Sequence, residues 1–168
     1  MPRWLGNCYV LCLLLITPAL EAAKQETIPV DWQAAGEVVM SSGPGVRLIE
    51  MSDEVEVTQG NIVVKGDHAV FEYAADSGRL VRATIIGSPV NYRQQLEGDF
   101  SVVTGTSNTL IIYEDELTGE TMIEMIGEAT INSPDSSMNC AAILYNSSQN
   151  LIPSSTGPCG GSLISPAN

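Results

Sequence analysis

The side chains able to do chemistry are few and scattered. His68 is the single histidine, so a metal centre that needs several imidazole or carboxylate ligands converging on one ion finds little material here. A nucleophile–histidine–acid arrangement would have to use His68, yet no serine sits in the sharp strand-to-helix turn that exposes a catalytic hydroxyl. Glu54 and Glu56 stand two residues apart, which on a strand puts both carboxylates on one face. Such a pair can act as acid and base, but the commoner reading of acids alternating with valines is a solvated face. Glu114-Asp-Glu-Leu-Thr-Gly-Glu120 reads as an acidic hairpin tip in water rather than a metal site. Asn146-Ser-Ser fits a glycosylation acceptor, a pattern of low specificity. No glycine-rich loop precedes a helix, so no phosphate cradle is expected. With no catalytic constellation, no metal ligands and no cofactor site, the chain reads as a binding or structural protein and not an enzyme.

The cysteines carry one covalent possibility. Residues 1–22 have the build of a secretory signal: Arg3 in a short polar start, a mostly apolar run from Leu5 to Leu20, then small residues at Ala19, Ala22 and Ala23. Cleavage is expected after Ala22 or Ala19. Gly6, Asn7, Thr17 and Pro18 interrupt the run, which falls short of the ~20 apolar residues that span a bilayer. The alternative is an uncleaved inner-membrane anchor. Cleavage removes Cys8 and Cys12 and leaves Cys140 and Cys159. An even pair in an oxidising compartment suggests a disulfide. Closing the loop 140–159 would contribute roughly 3 kcal/mol by chain entropy. Two unpaired thiols are the alternative.

The elements around these residues are strands. Val, Ile, Thr and Gly are plentiful, aromatics make up only 5%, and that composition favours extended structure. Val55 and Val57 alternate with Glu54 and Glu56, and Ala69, Phe71 and Tyr73 alternate with Val70 and Glu72. This is the two-residue period of half-buried strands. Gln59-Gly60-Asn61 and Ala75-Asp76-Ser77-Gly78 are turns between the runs. The pattern repeats: the same offset separates Tyr73 from Tyr113 and Gly87 from Gly127, with a shorter echo in Ala141–Tyr145. No convincing helix appears. The expectation is an all-β fold, a twisted open jelly roll, sandwich or barrel of about a dozen or more short antiparallel strands, with Pro29 confining the first strand to an edge. Residues 23–152 form the domain, and the Ser/Gly/Pro-rich stretch 153–168 is expected to be loosely ordered except where Cys159 pins it. The formal net charge of −13 excludes nucleic acid as a partner, because phosphate contacts need a basic face. It also argues against docking on anionic lipid headgroups.

Alternation along these strands names an inward set. It runs Ile28, Val30, Val55, Val57, Ile62, Val64, Ala69, Phe71 and Tyr73. It continues with Val81, Ala83, Ile85, Val90, Tyr92, Ile111 and Tyr113, and ends with Ile123, Met125, Ala129, Ile131, Ile143 and Tyr145. Every one of these could be ordinary core.

The run Val-Glu-Val-Thr-Gln-Gly-Asn-Ile-Val-Val-Lys-Gly-Asp-His-Ala at 55–69 resembles the OstA-like domain of the periplasmic lipopolysaccharide-export bridge family. Thr27-Ile-Pro-Val-Asp is similar to that family's opening strand, and Gly-Ser-Pro-Val-Asn-Tyr-Arg-Gln at 87–94 to its central segment. The resemblance covers about residues 26–152. It implies a jelly roll open at both ends, with an apolar groove that hides the acyl chains of lipopolysaccharide while the sugars face water. Hiding each methylene is worth roughly 0.8 kcal/mol. The resemblance marks Ile28, Tyr92 and Tyr113 as groove-wall positions. It further implies head-to-tail stacking of copies, and stacking on LptC-like and LptD-like domains, by addition of edge strands. Only Arg47, Lys65, Arg79, Arg82 and Arg93 are cationic after Lys24, so acyl shielding is a better-supported expectation than recognition of lipid phosphates. Two other readings stand beside it: an inner-membrane-anchored LptC-like subunit, and an envelope interaction module that binds no lipid. An interior filled end to end by the protein's own side chains, with no opening for a guest, would exclude transport.

Overall fold

The computed structural model describes residues 28–98 and 101–164. The signal segment expected at 1–22 lies outside the described residues. Ten strands follow one another with no helix among the described residues: β1 (Val30–Gln33), β2 (Val38–Gly43), β3 (Val46–Gln59), β4 (Ile62–Ala74), β5 (Leu80–Gln95), β6 (Val102–Glu114), β7 (Thr121–Ser133), β8 (Ser136–Asn146), β9 (Leu151–Thr156) and β10 (Gly160–Leu163). All pairings are antiparallel. They make one sheet, with β3 to β8 in sequence order through its middle. The architecture is the open all-β arrangement expected, built from fewer and longer strands. Segments that glycine separates in the sequence stay in one strand, because the chain bends at a bulge instead of turning.

The bulges set the shape. The register slips between Ser52 and Val55, between Lys65 and His68, between Ile86 and Val90, between Thr106 and Thr109, and between Ile126 and Ala129. Extra residues at successive strands form a line across the sheet, and each bulge bends and twists its strand. Asp53, Glu54, Gly127 and Glu128 on this line have positive φ. The line divides the sheet into two leaves. Leaf one joins β1, the far halves of β3 to β8, and β10; leaf two joins β2, the other halves, and β9. The leaves fold onto each other. Gly105 pairs with Ile131, six residues along β7 from Met125, or about 20 Å on a flat strand. Yet a Cβ added at Gly105 would lie 2.9 Å from Met125 Cε. Only a folded sheet brings the two together, and only glycine leaves room. Gly66, at the same bend, is as tight: an added Cβ would lie 2.6 Å from Ile85 Cγ2.

Between the leaves the core is built of directly opposed residues. Met51, Ala69, Ile85, Leu110, Met125 and Ile143 pair in turn across six strands, and none is more than 1% exposed. The line parallel to it passes through Phe71, Ala83, Ile112, Ile123 and Tyr145. In leaf one, Val57, Val64, Tyr92, Gly105 and Ile131 do the same.

The stretch from Pro153 departs from its expectation. β9 pairs with β8 in leaf two and β10 pairs with it in leaf one, so ordered sheet continues to Leu163. Cys140 on β8 is joined to Cys159 just before β10. Composition alone missed this because β10 has almost no side chains to bury: its ladder and the covalent tie hold it. β1, carrying Val30, pairs only with β3, the edge position that Pro29 requires.

Candidate functional site

The inward set divides on the structure. Val55, Val57, Ile62, Val64, Ala69, Phe71, Ala83, Ile85, Val90, Tyr92, Ile123, Met125, Ala129, Ile131, Ile143 and Tyr145 are buried in one cluster. Val30 and Tyr73 are half-buried and pack against it. Ile111 and Tyr113 require correction: they stand on the outer phase of β6, where Ile111 opposes Thr84 and Glu124, and Tyr113 opposes Arg82 and Met122. Leu110 and Ile112 take the inward places. The bulge between Thr106 and Thr109 shifts the phase, so matching Tyr113 to Tyr73 through the repeat assigns the wrong face. Val81 is likewise exposed, because a slip between Glu72 and Tyr73 sets Leu80, not Val81, opposite Tyr73. Ile28 is 54% exposed. Met51, Val103, Leu110 and Ile112 are core residues absent from the inward set. Strict alternation from Leu110 would have found Ile112.

The interior is filled along its middle, and the openings lie where the leaf rims meet, opposite the bend. Three clefts share lining residues there. A cleft of about 280 Å³ is walled mainly by Ile28, Val30, Tyr73, Leu80, Ile112 and Tyr113, with Arg79 and Glu114 also lining it, so Tyr113 reaches the opening although it is not in the core. Tyr73 and Gly78 also line a second cleft of about 330 Å³ beside Met40, Leu48, Ile49 and Arg47. On the other side, Ile28, Gln59 and Thr121 also line a third cleft of about 530 Å³, bounded by Asn61, Ile62, Gln94, Leu96, Glu97 and Ser147–Asn150. Together they form a trough along the seam, apolar towards the amino-terminal edge and polar towards the carboxyl-terminal one.

Gln94 sits at the floor of the polar part. It belongs to leaf one but bonds across to leaf two: its Nε2 donates to the Ser147 carbonyl at 3.1 Å. Its Oε1 lies 2.9 Å from the Tyr92 hydroxyl and 3.0 Å from the Tyr145 hydroxyl. The Tyr145 hydroxyl is also 2.8 Å from Asn150 Oδ1, and its single proton serves both acceptors in turn. The two rings meet edge-on at 6.1 Å, a favoured aromatic geometry. Burial pushes both phenols up, Tyr145 to about 12 and Tyr92 further still, the neighbouring Tyr145 adding to it. They are neutral donors at any physiological pH. This network escaped the sequence reading because its members are brought together only by the folded sheet; Gln94 shows no signal except a glutamine at an inward position.

The chemical candidates separate. Glu54 lies on the bend line, while Glu56 forms an ion pair with Lys65 at 2.7 Å, whose hydrogen bond lowers its pKa. His68 belongs to no group of potential metal ligands, and no group of three or more His, Cys, Asp or Glu side chains positioned for a metal occurs among the described residues. Asp115 in the acidic tip caps its own turn, accepting from the Thr118 amide and hydroxyl and then the Leu117 amide, and these bonds lower its pKa. The Asn146 side chain is buried, and its Nδ2 donates to Glu120 Oε2 at 2.8 Å, so the nitrogen that glycosylation would use is enclosed and engaged.

Comparison with known proteins places this geometry. The lipopolysaccharide export system protein LptA of Haemophilus influenzae is 29% identical over 100 residues, which cover 59% of this chain and 55% of that protein. The chain thus spans about half the length of that curated relative. The crystal structure of LptH from Pseudomonas aeruginosa, described as the LptA-homologous periplasmic component of the conserved lipopolysaccharide transport device, superposes with a TM-score of 0.64. At 18% identity over 77% of this chain and 84% of that one, it attests the fold. The family model described as LptA/(LptD N-terminal domain) LPS transport protein matches residues 46–151, the stretch from β3 to the start of β9 that contains the bend, the core and the Gln94 network. The chain belongs to that family of lipopolysaccharide transport proteins.

Proposed function

We propose that this protein is a periplasmic carrier that shields the acyl chains of lipopolysaccharide and bridges the inner- and outer-membrane parts of the transport system. The observation that carries the reading is the apolar cleft of Ile28, Tyr73, Leu80, Ile112 and Tyr113. Its walls Val30, Tyr73 and Leu80 pack against the buried core. An acyl chain enters there by parting the leaf rims, exchanging water for hydrocarbon at roughly 0.8 kcal/mol per methylene. The protein acts as a shield and performs no catalysis.

Its partners follow from its ends. The amino-terminal end presents the outer edges of β1 and β2, and the carboxyl-terminal end those of β9 and β10. Strand addition at these edges joins copies head to tail, and joins the chain to LptC-like and LptD-like domains. Such unlike-end contacts leave an open array.

The filled middle of the interior favours one second reading, an envelope interaction module that holds like domains together and carries no lipid. A photoreactive residue placed at Tyr113 or Ile28 in cells separates the two. Adducts with lipopolysaccharide at both positions, absent from a control at outward Val70, are the expected result. Adducts with protein alone at every position, with no lipid co-purifying in native mass spectrometry, would overturn the carrier reading.

A further inference from the structure

The polar cleft differs from the rest of the inner face, and its chemistry selects a guest. In leaf one the inward residues running from the bend are Val55 and Val90, then Val57, Val64 and Tyr92. At the rim they change: Gln59 and Gln94 flank Ile62 directly across the strands. Gln94 is only 5% exposed; its Oε1 accepts from Tyr92 and Tyr145 and its Nε2 donates to Ser147. Gln59 has no hydrogen-bond partner for its side chain among the described residues. Facing them from leaf two are Thr121 and the turn Ser147–Asn150. Gln149 in that turn holds the Glu120 carboxylate.

Resting on the carrier reading, we infer that this cleft is a carbohydrate subsite, which seats a neutral, hydroxyl-rich headgroup while the tail lies in the apolar cleft beside it. The volume, about 530 Å³, lies within the usual range for small-ligand sites, roughly 300–1,000 Å³. Amides and hydroxyls each present a donor and an acceptor, matching sugar hydroxyls that also do both. A phosphate finds no counter-charge: among the described residues no Lys, Arg or His lines the cleft, and Glu97 does. A purely apolar guest would leave the Gln59 amide dry and unpaired, a penalty the site avoids by hydrogen-bonding the guest. Ile28, Gln59 and Thr121 belong to both clefts, so one amphiphile spans them with its head and tail already in order.

Two detergents with equal tails test this on the mature chain: dodecyl maltoside and dodecyl-dimethylamine oxide, titrated calorimetrically below their micelle concentrations. The maltoside is expected to bind at least about tenfold tighter. Gln59→Leu and Gln149→Leu are each expected to weaken maltoside binding about three- to tenfold, the scale of one lost hydrogen bond; Gln149→Leu, which lines the polar cleft alone, is expected to leave amine-oxide binding unchanged, and Gln59→Leu, which lines both clefts, not to weaken it. Thermal unfolding of both variants at the wild-type midpoint keeps the comparison fair; where Gln149→Leu is destabilised, Gln59→Leu carries the test. Equal binding of the two detergents, or parallel loss of both in the variants, overturns the subsite and leaves acyl shielding standing. Binding of neither overturns acyl shielding and the subsite together.

Discussion

Gln94 marks the point where the two leaves are tied by polar bonds rather than by hydrocarbon. Removing one donor should cost less than removing the shared acceptor. Tyr145→Phe leaves Tyr92 on Gln94 and is expected to cost about 1 kcal/mol, whereas Gln94→Leu strands the buried Tyr92 hydroxyl and the Ser147 carbonyl, with Tyr145 keeping Asn150, and should cost about 2 kcal/mol or more. Urea unfolding midpoints at constant slope check the order, and a Tyr145→Phe loss equal to the Gln94→Leu loss would refute it. The same phenols give a pH dependence. In the unfolded chain a tyrosine ionises near pH 10, while Tyr145 in the fold holds its proton to about 12. Between these values the unfolded chain sheds a proton that the folded chain keeps. Stability is therefore undiminished below pH 10 and falls as pH rises towards 12. The part of the phenolate absorbance that Tyr92 and Tyr145 contribute should accordingly rise in step with unfolding rather than before it.

At the scale of elements, β10 is the clearest case of structure held from outside. All four of its residues are exposed, Leu163 at 87%, and Gly160 and Gly161 bury nothing. Ordering each residue costs roughly 1–2 kcal/mol, while a net hydrogen bond returns about 1 kcal/mol. The strand is thus near balance without the tie to Cys140. Cys159→Ser should release it. The expected sign is loss of hydrogen-exchange protection at the Ser136–Asn139 amides that face β10, with Ala142–Asn146 protected by β9 as before. The loss of global stability should not exceed roughly 3 kcal/mol. Unchanged protection at Ser136–Asn139 would mean that the ladder suffices. The bulged strands make the complementary point: Gly66 and Gly105 are cheap to place in a turn-rich sequence, but at the bend each is the one residue that fits.

For the whole molecule, charge opposes the stacking that the edges invite. With a formal net charge of −13, copies meeting end to end repel one another. The Debye length falls from roughly 30 Å at 0.01 M salt to about 4–5 Å at 0.5 M, so head-to-tail association should strengthen over that range. Sedimentation velocity at several protein concentrations would follow it. A further substitution, Val39→Lys on the free edge strand β2, should suppress the salt-driven growth while leaving the monomer folded. A protein that stays monomeric at every salt and concentration would remove stacking from the proposed function.

Local pattern carried far in this chain. Alternation in Val55–Val57 and Ala69–Tyr73, with turns at Gln59–Asn61 and Ala75–Gly78, specified strands, their hairpins and most of the buried face, because burial and the two-residue period are properties of a few neighbouring residues. It did not carry through β6, where one bulge exchanges Ile111 and Tyr113 for Leu110 and Ile112; a period of two has no memory of an inserted residue. It did not predict β10, whose order comes from a ladder and a sulfur bond rather than from its own side chains. Nor could it assemble Gln94, Tyr92, Tyr145 and Asn150, or separate an apolar from a polar cleft. Those depend on the line of bulges folding one sheet over itself, which brings together residues that no local spacing relates.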